Sequence, residues 1–390
     1  MTKERIVKGW IKSIRRSKRI KFIPVTDGTH EHQITIKEEL CEVIGELKIG
    51  ASVIVEGEVG VTPRGFPEIV AHKVTIIGDA DDEYPLQPKR HTDEFFRSIP
   101  HLRGRARQFQ EIFRTRHHLT QAIHRYMDKA GVYQYHTPII THADCEGAGE
   151  TFQVKSDWLD EQLTVSGQLH GEVGMMALGQ IYTFGPTFRA EKSATRKHLS
   201  EFWMVEPELA WYDLDETIGF AEDFVKSIIR GSIKELKDTS HLDDIIHPLK
   251  PWAIKTYDEI QEEFGFKWGE DISSEIEKKV TDKWGPTFIT HYPKELKPFY
   301  MKKDGKYALC FDLIFPIVGE LIGGSQREED YHKLLDSMEG MDMDKMKWYT
   351  ETRRWGTVPH SGFGLGFERL LMFITKAPKV HDVIPFPVSF

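Results

Sequence analysis

The chain has 390 residues, 39% hydrophobic and 29% charged, with a formal net charge of −9; this is enough for two or three packed domains and excludes a disordered, low-complexity chain. No apolar run is long enough to cross a bilayer, the opening Thr2-Lys3-Glu4-Arg5 is polar and basic, and the three cysteines (Cys41, Cys145, Cys310) form no C-x-x-C pair, so a cytoplasmic protein with reduced thiols is expected. The acidic balance excludes a general nucleic-acid coat, and a polyanion has to be met by a local patch such as Arg15, Arg16, Lys18, Arg19 and Lys21.

One absence is selective. The sequence contains no asparagine, whereas glutamine recurs at Gln33, Gln108, Gln168, Gln326 and elsewhere. A chain of this length ordinarily holds roughly a dozen or more Asn, and adaptation to heat thins Gln together with Asn.

Residues 5–77 alternate short β-rich runs with turns: Ile6 to Ile14, Phe22 to Val25 before Thr26-Asp27-Gly28, Gln33 to Ile36, Ser52 to Val61 and Glu68 to Ile77. Five strands at this spacing predict a small barrel. A basic strand with Phe22 fits an OB-fold that stacks single-stranded bases, although Pro24 in the second run removes a ladder donor. Residues 1–78 are therefore assigned to the barrel. The acidic, proline-containing Gly78 to Pro88 opens a linker over 79–106, and 107–390 forms a second domain.

From Arg107 the period changes. Phe109, Ile112, Phe113, Arg116, Leu119, Ile123, Tyr126 and Met127 recur at three and four residues, which predicts one amphipathic helix closed by Gly131. A strand over Val132 to Thr141 follows, then strands over Ile181 to Phe188, Phe202 to Trp211 and Tyr307 to Val318, with helices over Leu214 to Leu236 and Phe367 to Ile374. Strands and helices do not alternate regularly, so a mixed α+β domain is expected rather than a doubly wound sheet.

Chemistry concentrates in three places. Phe188-Arg189-Ala190-Glu191, followed by Lys192, Arg196, Lys197 and His198, sets cations between two apolar strands, where Arg suits phosphate and the ring of Phe202 suits a purine. Asp312 and Glu320 border the apolar run Leu313 to Val318; such carboxylates need a partner or a cation, and hard oxygen ligands beside phosphate suit Mg²⁺. Gly362-Phe-Gly-Leu-Gly-Phe-Glu-Arg369 leads into a helix without a βαβ context, so it is not a dinucleotide fingerprint, but it lets phosphates approach closely.

Together these segments resemble the class II aminoacyl-tRNA synthetases of the aspartyl/asparaginyl subgroup. Arg107 to Pro138 is similar to the dimer-forming motif 1, Phe188 to Trp211 to motif 2 and Gly362 to Leu371 to motif 3. Cys145-Glu-Gly-Ala-Gly-Glu150, Phe202-Trp-Met-Val-Glu-Pro-Glu208, Gly319 to Arg327 and Gly356 to Ser361 resemble the asparaginyl members most closely. The resemblance implies an antiparallel catalytic sheet, ATP with Mg²⁺, a tRNA partner and a homodimer. It gives the catalytic roles to Arg189, Glu320 and Arg369. Arg189 would bind the α-phosphate and the amino-acid carboxylate, Glu191 and Phe202 the adenine, and His198 and Arg369 the β- and γ-phosphates. Lys197, Leu199 and Gly366 would complete the ATP site, and Asp312 and Glu320 would hold the metal. Glu146, Ser166 and Gln168 would receive the substrate ammonium, with Gly171, Glu206, Gly323 and Arg327 around the side chain. Arg15, Arg16 and Phe22 would meet the tRNA.

The segment Ser166-Gly-Gln-Leu-His-Gly171 lacks the lysine with which aspartyl enzymes pair their substrate. A carboxylate near Glu206 would be undercompensated there, so asparagine is the expected substrate. Alternatives are an adenylating paralogue that works without tRNA, an aspartyl enzyme, and a non-catalytic nucleic-acid-binding protein. Val388 and His381 depart from the arginines usual in the family.

Overall fold

The computed structural model describes residues 3–17, 19–43, 47–143, 151–190 and 195–388, and the chain divides into two compact units, Met1–Leu102 and Arg103–Phe390. In the first unit six strands form one sheet: β1 Glu4–Ile11, β2 Arg15–Ser17, β3 Ile20–Thr26, β4 Glu31–Lys37, β5 Ser52–Val61 and β6 Pro67–Gly78. The order is β1-β5-β6-β4-β3-β2, and β1 also pairs with β3, closing the barrel. Alternation puts Val7, Ile11, Ile23, Val25, Ile34, Ile36, Val53 and Val55 inside as the core. Pro24 is accommodated because its carbonyl, and hence its missing donor, points toward the corner where β1 gives way to β2; there it accepts from Lys12 N at 2.9 Å.

The second unit is built on an eight-stranded sheet. Its strands are β7 Tyr133–Gln134, β8 Gln180–Phe188, β9 Glu201–Ala210, β10 Ala253–Thr256, β11 Thr287–Thr290, β12 Cys310–Phe315, β13 Gly319–Gln326 and β14 His360–Gly366, in the order β10-β11-β12-β13-β14-β9-β8-β7. The five inner pairings are antiparallel, as expected, while the outermost pair at each edge, β7 with β8 and β10 with β11, is parallel. The run expected as one strand over Val132 to Thr141 splits into β7 and a separate strand, Ile140–Thr141, and Tyr307 to Val318 breaks after Ala308.

Helix α1, Arg107–Lys129, buries Phe109, Leu119, Ile123 and Met127, and Gly131 follows it with φ +74°, the left-handed stop its position predicts. It packs on α3, Leu214–Ser232, whose apolar stripe of Ile218, Ala221, Phe224, Val225 and Ile228 joins the core beneath the sheet. Helix α2 is Gln168–Leu178, α4 is Ser274–Trp284 and α5 is Phe367–Thr375. Helix α3 begins with a reciprocal cap: Glu216 N donates to Asp213 Oδ1 at 2.9 Å and Asp213 N to Glu216 Oε2 at 3.0 Å. Replacing Asp213 with Ala removes one acceptor for an orphan donor and is expected to cost about 1 kcal/mol, lowering the thermal midpoint by roughly 2–4 °C; differential scanning calorimetry of the variant checks this.

Candidate active site

The antiparallel pair β8–β9, the bend between β12 and β13, and the β14–α5 junction meet at one open cleft. Arg189, Lys197, His198, Leu199, Phe202, Glu320, Gly366 and Arg369 all line it, joined by Ser200, Met204, Leu321, Gly364, Glu368 and Val380. Residues far apart in sequence, at 189, 320 and 369, thus face a common space. Glu191, expected at the adenine, and Glu146, expected at the ammonium, lie outside the described residues.

Each wall has a local cause. Arg189 leaves the end of β8, and its guanidinium carbon lies 5.4 Å from the centroid of the Phe202 ring on the partner strand. Arg369 sits in the first turn of α5, and its Nη1 donates to Glu320 O at 2.5 Å, tying the helix to β13. Glu277 of α4, unforeseen from sequence, accepts from Glu320 N at 3.1 Å and pairs with Lys197 Nζ at 3.8 Å. Burial raises the Glu277 carboxyl above its usual range, opposed by Lys197. In the cleft wall, buried Glu368 takes Arg116 Nη1 of α1 at 2.7 Å and Trp203 N of β9 at 2.8 Å, so one carboxylate joins all three motif segments.

Asp312 and Glu320 turn toward Gly323: a Cβ there would lie 3.0 Å from Glu320 Oε1 and 3.7 Å from Asp312 Oδ1. The other oxygen of Asp312 holds Lys297 Nζ at 2.6 Å, and that ammonium lies 3.8 Å from the Tyr292 ring centroid. Burial opposes the charge on Lys297, yet Asp312 outweighs it and keeps the amine above the usual lysine range. Among the described residues no three His, Cys, Asp or Glu side chains form a complete metal cage. Two converging carboxylates with phosphates supplying further ligands is nonetheless the usual Mg²⁺ arrangement, so the residues present fit that ion.

The expected amino-acid residues gather around two buried carboxylates. Glu206 accepts from Ser166 Oγ, from Gly167 N at 2.9 Å and from Thr183 Oγ1 at 3.0 Å. A carboxylate offers roughly four acceptor sites, so one direction remains for a substrate N–H. Ser166 Oγ donates to Glu206 and accepts from Gln168 N at 3.1 Å, and Gln168 Nε2 donates to Glu172 at 3.1 Å. Arg327 forks onto Glu208, Nε to Oε2 at 3.1 Å and Nη2 to Oε1 at 2.5 Å, and its Nη1 reaches Ser325 Oγ at 2.7 Å. Gly171 stands beside this pair: a Cβ would be 3.5 Å from Glu208 Cγ.

A second buried cluster went unforeseen. Glu172 of α2 binds Arg353, Tyr349 Oη at 2.9 Å and His360 Nε2 at 3.2 Å, all with almost no exposure. Although burial works against its charge, the Arg353 guanidinium and His360 hold the Glu172 carboxyl well below the usual range. This network fixes the helix that carries Gln168 against β14.

In the barrel, Arg15 is directly opposite Phe22 in the β2–β3 ladder and shares its face, while Arg16 opposes Lys21 on the other. The barrel strand therefore presents basic groups on both sides rather than one patch.

An antiparallel sheet whose bends and helix start gather arginines and a carboxylate pair, in a chain with an OB barrel ahead of it, fits an aminoacyl-tRNA ligase, and similarity to known proteins bears this out. The chain belongs to the class II tRNA synthetases: residues 93–389 match the family described as tRNA synthetases class II (D, K and N), and residues 6–77 match the OB-fold nucleic acid binding domain. Within that class it stands with the asparaginyl enzymes. It is 43% identical to an asparagine–tRNA ligase of Azobacteroides pseudotrichonymphae (98% of this chain, 94% of that one) and 42% identical to a probable mitochondrial asparagine–tRNA ligase of Dictyostelium discoideum (99% and 92%). Its fold overlays asparaginyl-tRNA synthetase of Pyrococcus horikoshii, solved with asparaginyl-adenylate, with a TM-score of 0.93 and 32% identity over 100% of this chain and 95% of that one.

Proposed function

We propose that the chain activates asparagine with ATP and transfers it to tRNA(Asn). The observation that carries the first half is the convergence of Arg189, Arg369 and Glu320 on one cleft. An asparagine carboxylate oxygen attacks the α-phosphorus in line, the bond to the bridging oxygen breaks, and pyrophosphate leaves with its negative charge. Arg189 holds the α-phosphate and the attacking carboxylate at contact distance, and Lys197, His198 and Arg369 receive the leaving pyrophosphate. Glu320 and Asp312 would hold Mg²⁺, which would supply charge neutralisation at the phosphates. In the second step a terminal ribose hydroxyl of the tRNA attacks the activated carbonyl and AMP departs. Arg15 and Phe22 of the barrel serve the anticodon, and the enzyme works in the cytoplasm as a homodimer in which a second copy covers the exposed apolar side chains of Tyr133, Ile139 and Ile140.

The choice of asparagine rests on charge. Arg327 is already neutralised by Glu208, and the position of the missing lysine, Gly171, faces that pair. The pocket therefore offers a neutral amide a donor and an acceptor, whereas among the described residues beside Gly171 an aspartate carboxylate meets a cation already paired with Glu208. Polar recognition of this kind reaches on the order of 10⁴-fold in kcat/KM, so ATP–pyrophosphate exchange is expected with asparagine and at least about a hundredfold less with aspartate. Exchange with aspartate alone overturns the substrate assignment. Exchange without subsequent charging of tRNA(Asn) points instead to a tRNA-free adenylating enzyme.

A further inference from the structure

The absence of asparagine survives every ordinary explanation that sequence and structure allow. Against chance, roughly a dozen residues are expected. Base composition does not account for it: Asn and Lys codons share their first two bases, and the chain has 32 Lys and no Asn. Heat does not either, because the other labile residues remain, with 12 Gln, 11 Met and 3 Cys.

Nor does the fold lack places for it. Asn is several-fold enriched among non-glycine residues with positive φ. The four described here are Trp211 (φ 69°), His291 (57°), Ile317 (71°) and Lys376 (55°), of which a bulky Trp and a β-branched Ile are poor choices on backbone grounds. Asn is also among the best helix N-caps, yet the caps whose side chains close a described helix are Thr92, Asp213, Thr256, Ser273, Asp330 and Asp342. The sites that favour asparagine are present, and each is filled by something else.

We infer that this chain is built to be made without its own product: translation of its 390 residues consumes no asparaginyl-tRNA, so they can be synthesised when that tRNA is wholly uncharged and can restart charging from zero. The inference rests on the reading that tRNA(Asn) is the acceptor. It puts the enzyme's synthesis ahead of every reaction that consumes asparaginyl-tRNA, which an enzyme containing Asn does not achieve.

The test is a translation system of purified components, given asparagine, ATP and tRNA but no asparaginyl-charging enzyme. It is programmed with the message for this chain and that for a reporter rich in Asn. A comparison message carries Thr92→Asn, Asp342→Asn and Lys376→Asn, two exposed caps and one exposed positive-φ site that tolerate Asn, all outside the cleft. Pre-made purified variant protein, added in a parallel reaction, is expected to charge tRNA(Asn) like the parent. The parent message is expected to yield full-length chain and, after a lag, reporter; the variant message at least ten-fold less of both, restored by a trace of pre-made parent protein. Equal full-length product and reporter from the two messages overturn the inference while leaving the charging activity intact. Full-length parent chain without reporter, even when pre-made protein is added, overturns the charging reading and this inference with it.

Discussion

Replacing Arg189 with Gln is expected to lower the rate of ATP–pyrophosphate exchange on the order of a thousandfold, about 4 kcal/mol of transition-state stabilisation. The guanidinium is the group placed to bridge the α-phosphate and the amino-acid carboxylate, and its interactions strengthen as charge redistributes around phosphorus. The loss therefore falls mainly on kcat, with a smaller change in KM for ATP. Arg189→Lys restores little, because a point charge does not reproduce the planar fork. Stability is expected to change little: the guanidinium packs over Phe202, 5.4 Å from the ring centroid, an interaction worth about 0.5–1 kcal/mol. A variant that loses activity only because it unfolds shows the opposite pattern in thermal melts.

Replacing Arg327 with Met is expected to produce the largest stability loss, about 3–5 kcal/mol, because it strands a buried carboxylate. Arg327 and Glu208 have side chains 2% and 0% exposed, so water does not take the guanidinium's place. Restoring neutrality with Glu208→Gln in the same chain should recover more than half of the loss, since exchanging a whole buried pair is often nearly neutral. Activity should not return, because the pocket then lacks the polar pair beside Gly171. The pH dependence has a definite sign. Burial raises the Glu208 carboxyl above its usual value and Arg327 opposes that rise, so removing Arg327 lifts it further. A carboxyl raised in the folded state contributes stability at pH below its unfolded value near 4.5 and loses it as pH climbs through the folded value. The Arg327→Met deficit measured by urea unfolding is therefore expected to shrink from about pH 8 toward about pH 5.

The parts of the site legible in the sequence share one property: they interrupt apolar strands or open a helix. Arg189, Glu320 and Arg369 stand beside or within buried apolar runs, and a charge there demands a reason. Lys297, Glu277 and Glu172 carry no such mark. In sequence they read as solvated charges on helices or in loops, and their meaning arises only when a partner arrives from far away, as Asp312 does for Lys297 or Arg353, 181 residues on, for Glu172. Ser166 shows a related limit: its place among polar residues of the amino-acid pocket is legible, but its binding to Glu206 depends on the distance between two strands and a helix start. In the fold, long periodic segments such as α1 and α3 are readable. The four-residue strands β10 and β11 are not, because four residues are too few to establish alternation.

The measurement that bears most directly on the shared cleft and its neutral amide pocket is calorimetric binding of two non-hydrolysable adenylate analogues, one asparaginyl and one aspartyl. Tighter binding of the asparaginyl analogue by about a hundredfold or more, abolished in Arg189→Gln, is the predicted result. Equal or tighter binding of the aspartyl analogue would contradict it.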